Sequence, residues 1–425
     1  MPIALPAASL PHVATWSVAA IATAGVIIRP WRIPEAVWAM AGGFALVACG
    51  LVSPEDAGRA IGKGLDVYLF LAGMMLLAEL ARREGLFDHV AAQAVRHARG
   101  SAQRLFALVY AVGVLVTVFM SNDATAVVLT PAVYAATRKA GVKPLPYLLA
   151  CAFVANAASF VLPISNPANL VIFGDKLPPL AAWLAHFIAP SAASILVTYA
   201  LLRWLNRAGL RGEVHASAQL EPLGPTGVLA FAGVALVAAV LLIASALGWP
   251  LGWPTALASS AVAAAVLVRK REAPWALLRH IAWSVLALVA ALFVLVEGVA
   301  ATGLVQSLTE VLHRGAAASV NDAAWGAGIV VALLCNLMNN LPAGLIAGSV
   351  VAAADVDEAV RSAITIGIDV GPNLSVTGSL ATILWLIAIR REGEDVSALQ
   401  FLRTGAVVMP LGLLAALAVL LLQSS

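Results

Sequence analysis

Apolar stretches close to the ~20 residues that carry a helix across a bilayer recur along the whole chain, and polar residues interrupt several of them at mid-length. "SNDATAVVLTP" at 121–131 is one such place, with an amide and a carboxylate at the depth where hydrocarbon is expected. A backbone inside lipid must satisfy its own polar groups, so recurrent runs of this length mean spanning helices. An ionisable residue placed among them is expensive, which makes it a functional candidate.

Composition agrees. Of 425 residues, 62% are hydrophobic and 11% charged, and the mean hydropathy is +0.95. Soluble domains carry about 25% charged residues, so the chain reads as an integral membrane protein. No polar stretch is long enough to fold as a soluble domain of its own. The pI of 8.9 reflects basic loops, and nucleic acid is not an expected partner. Residues 1–12 lack the charged start of a signal peptide, so the first helix is expected to direct insertion. Cys49, Cys151 and Cys335 stand singly in apolar segments. That spacing offers neither a disulfide framework nor a metal site. Small buried hydrophobes are the plain reading, and a three-thiolate site for a soft ion is the alternative.

The expected helices lie near 13–29, 35–52 and 65–82, then an amphipathic stretch to about residue 100, arms at 104–121 and 124–138, a long segment at 147–173, and a helix at 184–204. A polar linker, 205–225, follows. The second part repeats the order: 226–248, 252–268, 281–301, an amphipathic stretch, arms at 324–338 and 341–354, a segment at 362–389, and a helix at 400–422. Landmarks recur at nearly constant offset. Glu79 and Gly85 match Glu297 and Gly303, 218 positions on; Asn122 and Asp123 match Asn339 and Asn340 at 217; Asn156 matches Asp369 and Asn166 matches Ser379 at 213. Residues 1–204 and 226–425 are therefore expected to be repeats.

Charge orients them. If 104–138 and 324–354 are re-entrant hairpins, each repeat crosses five times, and the odd number inverts the second against the first. With both termini outside, 20 of the 25 basic residues fall on the cytoplasmic side, leaving Arg59, Lys63, Lys176, Arg314 and Arg361 outside. The positive-inside rule prefers this arrangement to its mirror image. The expected fold is an all-α polytopic membrane protein of two inverted-topology repeats, with about ten transmembrane helices, two re-entrant hairpins and two interrupted helices.

Inverted repeats with interrupted helices describe a secondary transporter whose site lies at the breaks near the midplane. Two breaks are hairpin tips, "SNDAT" (121–125) and "MNNLP" (338–342); two are interruptions, "PISNPAN" (163–169) and "SVTGSLAT" (375–382). Asn166 before Pro167 reads as an N-cap before a first-turn proline, and Ser379 can cap the second restart. Asp123 and Asn340 can likewise cap the returning arms. Four helix N-termini would then aim free N–H groups at one volume suited to oxygen atoms. The candidate ligands are Asn122 and Thr125, Ser165, Asn166 and Asn169, Asn339 and Asn340, and Gly378, Ser379 and Thr382. Asp123 and Asp369 are candidate proton carriers. The bland alternatives are Pro/Gly kinks with repaired backbone bonds, Asp123 as a pure cap, and Asp369 as a satisfied buried acid. Carboxylates here repel an anionic substrate and suit a proton, a cation or a neutral hydroxylated molecule. Glu79 and Glu297 read as loop-facing acids, and His280 and His313 as interfacial.

At these breaks the chain resembles the arsenite/antimonite efflux permeases of the ion transporter superfamily. The matching stretches are "SNDATAVVLTP", "SNPANLVIFGDKLP", "MNNLPAGLIAG" and "IDVGPNLSVTGSLATILWL", and the likeness extends from about residue 13 to 422. The resemblance implies export of arsenite or antimonite as the neutral trihydroxide in exchange for protons, from a multi-pass position in the bacterial inner membrane and without a cofactor. For some members it implies a soluble ATPase partner. Carboxylate carriers of the superfamily show Ser-Asn-Thr at their tips, where this chain has Asp123 after Asn122 and the pair Asn339-Asn340. A sodium/proton antiporter and a silicic or boric acid exporter are the alternatives. An enzyme is not expected, because no nucleophile–base pair or His-Glu-x-x-His signature is present.

Overall fold

The computed structural model describes residues 9–215 and 222–424, so part of the expected linker, 216–221, lies outside the described residues. The described residues are helical, with one isolated β-bridge between Ser101 and Glu213. The first half runs α1 (Leu10–Ile28), α2 (Glu35–Ala48), α3 (Pro54–Lys63), α4 (Leu65–Arg83), α5 (Leu86–His97), α6 (Ala102–Phe119) and α7 (Asn122–Ala124). A π-helical turn (Thr125–Leu129) leads to α8 (Thr130–Lys139), α9 (Leu145–Ala157), α10 (Pro167–Phe173) and α11 (Leu180–Leu205). The second half runs α12 (Pro225–Ala246), α13 (Gly252–Lys270), α14 (Trp275–Leu278), α15 (Ser284–Ala301), α16 (Leu304–Ala318), α17 (Val320–Met338), α18 (Asn340–Ala354), α19 (Glu358–Val370), α20 (Leu380–Arg391) and α21 (Ala398–Ser424).

Seven described helices are long and apolar enough to cross a membrane: α1, α6, α11, α12, α15, α17 and α21. The pair α3–α4, bent by 50°, makes an eighth if it is one span. The difference from the ten expected crossings has local causes. Both interrupted segments are divided into short helices, α9 with α10 and α19 with α20, while α2 has only 14 residues. α13 carries Arg269 and Lys270 at its end, with serine and threonine along its length. α6 and α17, each expected as one arm of a hairpin, are long enough to cross by themselves.

Two layers of contact position the breaks. In the outer layer, helices of opposite halves pair closely, α4 with α13 and α2 with α15. Gly73 permits the first pairing, because a Cβ there would sit 2.8 Å from the backbone carbonyl of Thr255. Cross-half ion pairs sit at the ends of these helices, Arg83 with Glu272 at 2.8 Å, Lys270 with Glu84 at 3.0 Å, and Lys63 with Glu297 at 2.9 Å. Glu79 pairs with Arg82 at 2.6 Å, so both acids of that repeat pair are ion-paired at helix ends. Gly85 and Gly303, landmarks matched in the sequence, both have positive φ, 72° and 85°, and each starts an amphipathic helix, α5 or α16. Glycine takes that conformation without a Cβ penalty.

Inside, α17 packs on α19, α11 on α21, and α6 on α9. The restarting helices cross over: α10 packs against α18, and α20 packs against the π turn and α8. Each restart therefore meets the returning arm of the other half, and all four breaks meet in one region.

Candidate functional site

At the interrupted helices the caps fall where the sequence places them. Asn166 Oδ1 accepts from Ala168 N at 3.0 Å just ahead of Pro167, and Ser379 Oγ accepts from Thr382 N at 3.1 Å. At the expected hairpin tips they fall earlier. Ser121, rather than Asp123, accepts from Ala124 N at 3.2 Å, and Asn339, rather than Asn340, accepts from Leu341 N at 3.3 Å. The reason is the point of reversal: α6 ends at Phe119 and α17 at Met338, so the first free N–H groups belong to the next few residues. A capping oxygen must precede those groups by two or three positions. Asn339 supplies it with φ of 75° and ψ of 152°, a strained conformation outside the left-handed helical well.

The earlier caps leave Asp123 and Asn340 free to face a pocket. It is lined by Asn122, Asp123, Asn166, Pro167, Asn340, Leu341, Leu380 and Ala381, closed by Leu71 of α4 and Val285 of α15. All four breaks contribute, and no Lys, Arg or His is among the lining residues. Asn122 is buried with its Oδ1 lacking any hydrogen-bond partner. Three polar groups thus converge on one volume: the Asn122 carbonyl, the half-buried Asp123 carboxyl and the buried Asn340 amide.

Asp369 lies one hydrogen bond behind the pocket. It is fully buried; its Oδ1 accepts from Asn166 Nδ2 at 2.6 Å and from the Ser159 hydroxyl, while Oδ2 has no partner. Asn156 holds the corresponding place in the other half. Its Nδ2 donates to Asn373 Oδ1 at 3.0 Å and Thr382 Oγ1 at 3.2 Å, and its Oδ1 accepts from Ser379 Oγ at 3.2 Å.

The remaining sequence candidates brace this frame instead of lining the pocket. Thr125 shares a 2.8 Å hydrogen bond with Thr117, and Ser165 donates to Val118 O at 3.1 Å. Asn169 donates to Ser159 O at 3.0 Å, and Asn339 to Thr377 O at 3.4 Å. Gly378 sits where a Cβ would come 2.8 Å from Asn336 Oδ1. Ser379 and Thr382 belong to the Asn156 cluster. Ser159 and Asn373 escaped the sequence reading, although each lies about one helical turn beyond a landmark already noted, Asn156 or Asp369. Asn336, which accepts from Ser375 Oγ at 2.7 Å, also escaped it. Among the described residues no group of three His, Cys, Asp or Glu side chains converges as a metal site. Cys49 is exposed and Cys151 and Cys335 are buried, and none of them lines the pocket.

Comparison with known proteins locates this architecture. A family model described as citrate transporter matches residues 19–372. The chain belongs to this family. Among curated proteins it is similar to the arsenical pump membrane protein of Escherichia coli, 27% identical over 365 residues that cover 83% of this chain and 85% of the relative. The protein of the same name from Escherichia coli strain K12 is 27% identical over 416 residues, covering 94% and 96%. Among solved structures, the YdaH transporter of Alcanivorax borkumensis, reported to have an unusual topology, aligns with a TM-score of 0.55 at 16% identity, covering 97% of this chain and 98% of that one. The chain is thus a multi-pass helical membrane transporter of the citrate-transporter family, similar to arsenical pumps.

Proposed function

We propose that this transporter exports arsenite, and antimonite, as the neutral trihydroxide in exchange for protons. The observation that carries the reading is the pocket's polar set: the Asn122 and Asn340 amides and the Asp123 carboxyl, with Asn122 Oδ1 left without a protein partner and no cationic side chain in the lining. Arsenous acid has three hydroxyls and no charge near neutral pH, and groups of this kind can donate to it and accept from it. Citrate fits the same set poorly. Its carboxylates would face Asp123 directly and Asp369 one bond further back, and each like-charge contact at ~5 Å costs about 3 kcal/mol at an effective dielectric constant of 20. The names of the curated relatives favour arsenic as well.

Coupling is assigned to Asp123 and Asp369, with ligand contacts from Asn122, Asn166 and Asn340. We read residues 1–204 and 226–425 as inverted repeats with both termini outside. The crossed packing of α10 on α18 and α20 on α8 supports this, as does the matched bonding of Asp369 to Asn166 and of Asn156 to Ser379. Everted vesicles provide the test. An acid lumen should drive arsenite accumulation that a protonophore abolishes, with no accumulation of citrate. Accumulation of citrate or sodium without arsenite would reject the assignment.

A further inference from the structure

Several buried serine and threonine hydroxyls in the helices return their hydrogen to their own backbone, as Thr15 does to Pro11 O at 3.0 Å and Thr137 to Val133 O at 2.7 Å. Ser191, Ser194 and Thr198 on α11 and Ser362 on α19 do not, and nor do Ser245 on α12 and Ser259 on α13, away from the breaks. The four on α11 and α19 are at most 1% exposed; Ser191, Ser194 and Ser362 make no hydrogen bond, and Thr198 meets only the Tyr110 hydroxyl. Leaving a buried hydroxyl unpaired costs about 1–3 kcal/mol, so an orphan set on neighbouring elements calls for an explanation.

Their placement supplies one. Ser191, Ser194 and Thr198 follow i, i+3, i+7 spacing and share one face of α11. Contacts that flank Asp369 bracket this stretch. At one end, Trp183 Nε1 donates to Phe160 O at 3.1 Å, next to Ser159, which bonds Asp369. At the other, Thr198 and Val370 approach the same point, 3.3 and 3.9 Å from a Cβ built at Gly412. On α19, Ser362 lies seven residues before Asp369 on the same face, and the fifth orphan atom of the set is Asp369 Oδ2. Thr365, between them, is satisfied by Arg361 O at 3.0 Å.

We infer that the seam where α11 and α21 meet α19 is a hydrated proton route, leading from the Arg361 end of α19 to Asp369. Buried water satisfies otherwise unpaired hydroxyls, and a file of waters and hydroxyls passes a proton to Asp369 Oδ2 while Asn166 and Ser159 hold Oδ1. The other titratable groups around the route are few. The Tyr110 hydroxyl lies beside Thr198 with its hydrogen committed to Ile195 O at 2.8 Å. Cys335 on α17 donates to Ile368 O at 3.9 Å, and Arg361 stands at the entrance over Phe173, ion-paired with Glu358 at 3.4 Å. Protons then reach Asp369 by this route, while Asp123 titrates in the substrate pocket itself.

The inference rests on the proposed proton coupling, and two readouts keep the two apart. The first is transport by the variant Ser191→Ala, Ser194→Ala, Thr198→Val and Ser362→Ala in proteoliposomes. Removing unpaired hydroxyls should leave folding and arsenite counterflow at wild-type level, while pH-gradient-driven efflux falls about tenfold. Driven efflux within twofold of wild type would overturn the route. The second readout needs no transport: infrared spectroscopy of the Asp369 carboxyl band, identified by its loss in Asp369→Asn, as H₂O is replaced by D₂O. Exchange should slow in the fourfold variant and, should that protein fold poorly, in Ser194→Ala with Thr198→Val. Unchanged exchange in a folded variant overturns the route even if arsenite transport fails in the wild type, and that second failure would count against the proposed function alone.

Discussion

The side-chain amide of Asn166 donates to Asp369 Oδ1 at 2.6 Å, joining the cap of the restarting helix in one half to the buried acid of the other. Its carbonyl is occupied at the same time by Ala168 N. One residue therefore terminates a helix, lines the pocket and orients a carboxyl. Asn166→Ala removes the cap, worth about 1 kcal/mol, and the donor to a buried acid, worth about 1.5–3 kcal/mol when the acid is charged. Chemical unfolding in detergent should show a loss of about 2 kcal/mol or more. Stability equal to wild type would mean that the bond contributes nothing.

Asp123 stands in the first turn of its arm, where Ser121 does the capping. Asp123→Asn should therefore fold normally. It keeps the shape of the pocket and removes the titrating group, so it should abolish pH-driven arsenite efflux while arsenite counterflow survives and loses its pH dependence. The opposite result, wild-type driven efflux with an unchanged pH profile, transfers the whole coupling role to Asp369.

Asn122 and Asn340 face the pocket from opposite tips, Asn340 at the position that matches Asp123. Each alanine variant should lose about 0.5–1.5 kcal/mol of arsenite binding, roughly 2- to 12-fold in Kd. Asn122 is the sharper case, because its Oδ1 has no protein partner and its replacement leaves no other group unpaired. Equilibrium binding to purified protein is the measurement; an unchanged Kd in both variants removes the amides from the site.

Much of this arrangement is legible before any coordinates, and the reason is chemical. A polar residue in an apolar run is conspicuous, and Asn166 before Pro167 or Ser379 before an apolar stretch announces a restart whatever the tertiary fold. The misplaced caps at the tips show the limit. Where α6 and α17 reverse is decided by packing against the interrupted helices, and neighbouring polar residues such as Ser121, Asn122 and Asp123 are all plausible caps by composition. Roles set by long-range pairing were hidden for the same reason. Nothing local in Ser159 or Asn373 reveals a bond to Asp369 or Asn156, each more than 200 residues away. Leu71 and Val285 close the pocket as ordinary members of apolar helices, indistinguishable in sequence from their neighbours.

Arsenic(III) binds thiolates strongly in many settings, so the thiols need a direct test. Cys49 is exposed, Cys151 and Cys335 are buried, and the pocket is lined by none of them. Replacing Cys49 and Cys151 with alanine and Cys335 with serine should leave arsenite resistance in growing cells largely intact. Loss of resistance at normal protein abundance would restore a soft-ligand site.

That cysteine-free background also tests the orientation of the chain. Val214 N donates to Gly100 O at 3.1 Å and His215 N to Ala140 O at 3.0 Å, so this part of the linker lies along the α5–α6 loop at one point and the α8–α9 loop at the next. Residues 97 and 215 are both exposed, and this pairing requires them to share one face of the membrane. Arg96, Arg99, Arg104, Arg138 and Lys139 lie close to them in sequence or through this pairing, and the positive-inside rule puts such a face in the cytoplasm. Single variants His97→Cys and His215→Cys should therefore resist a membrane-impermeant thiol reagent added to intact cells, and both should react once the membrane is opened. Labelling of both from outside would invert the proposed topology while keeping the fold. Labelling of one alone would contradict the pairing of the linker with the α5–α6 loop.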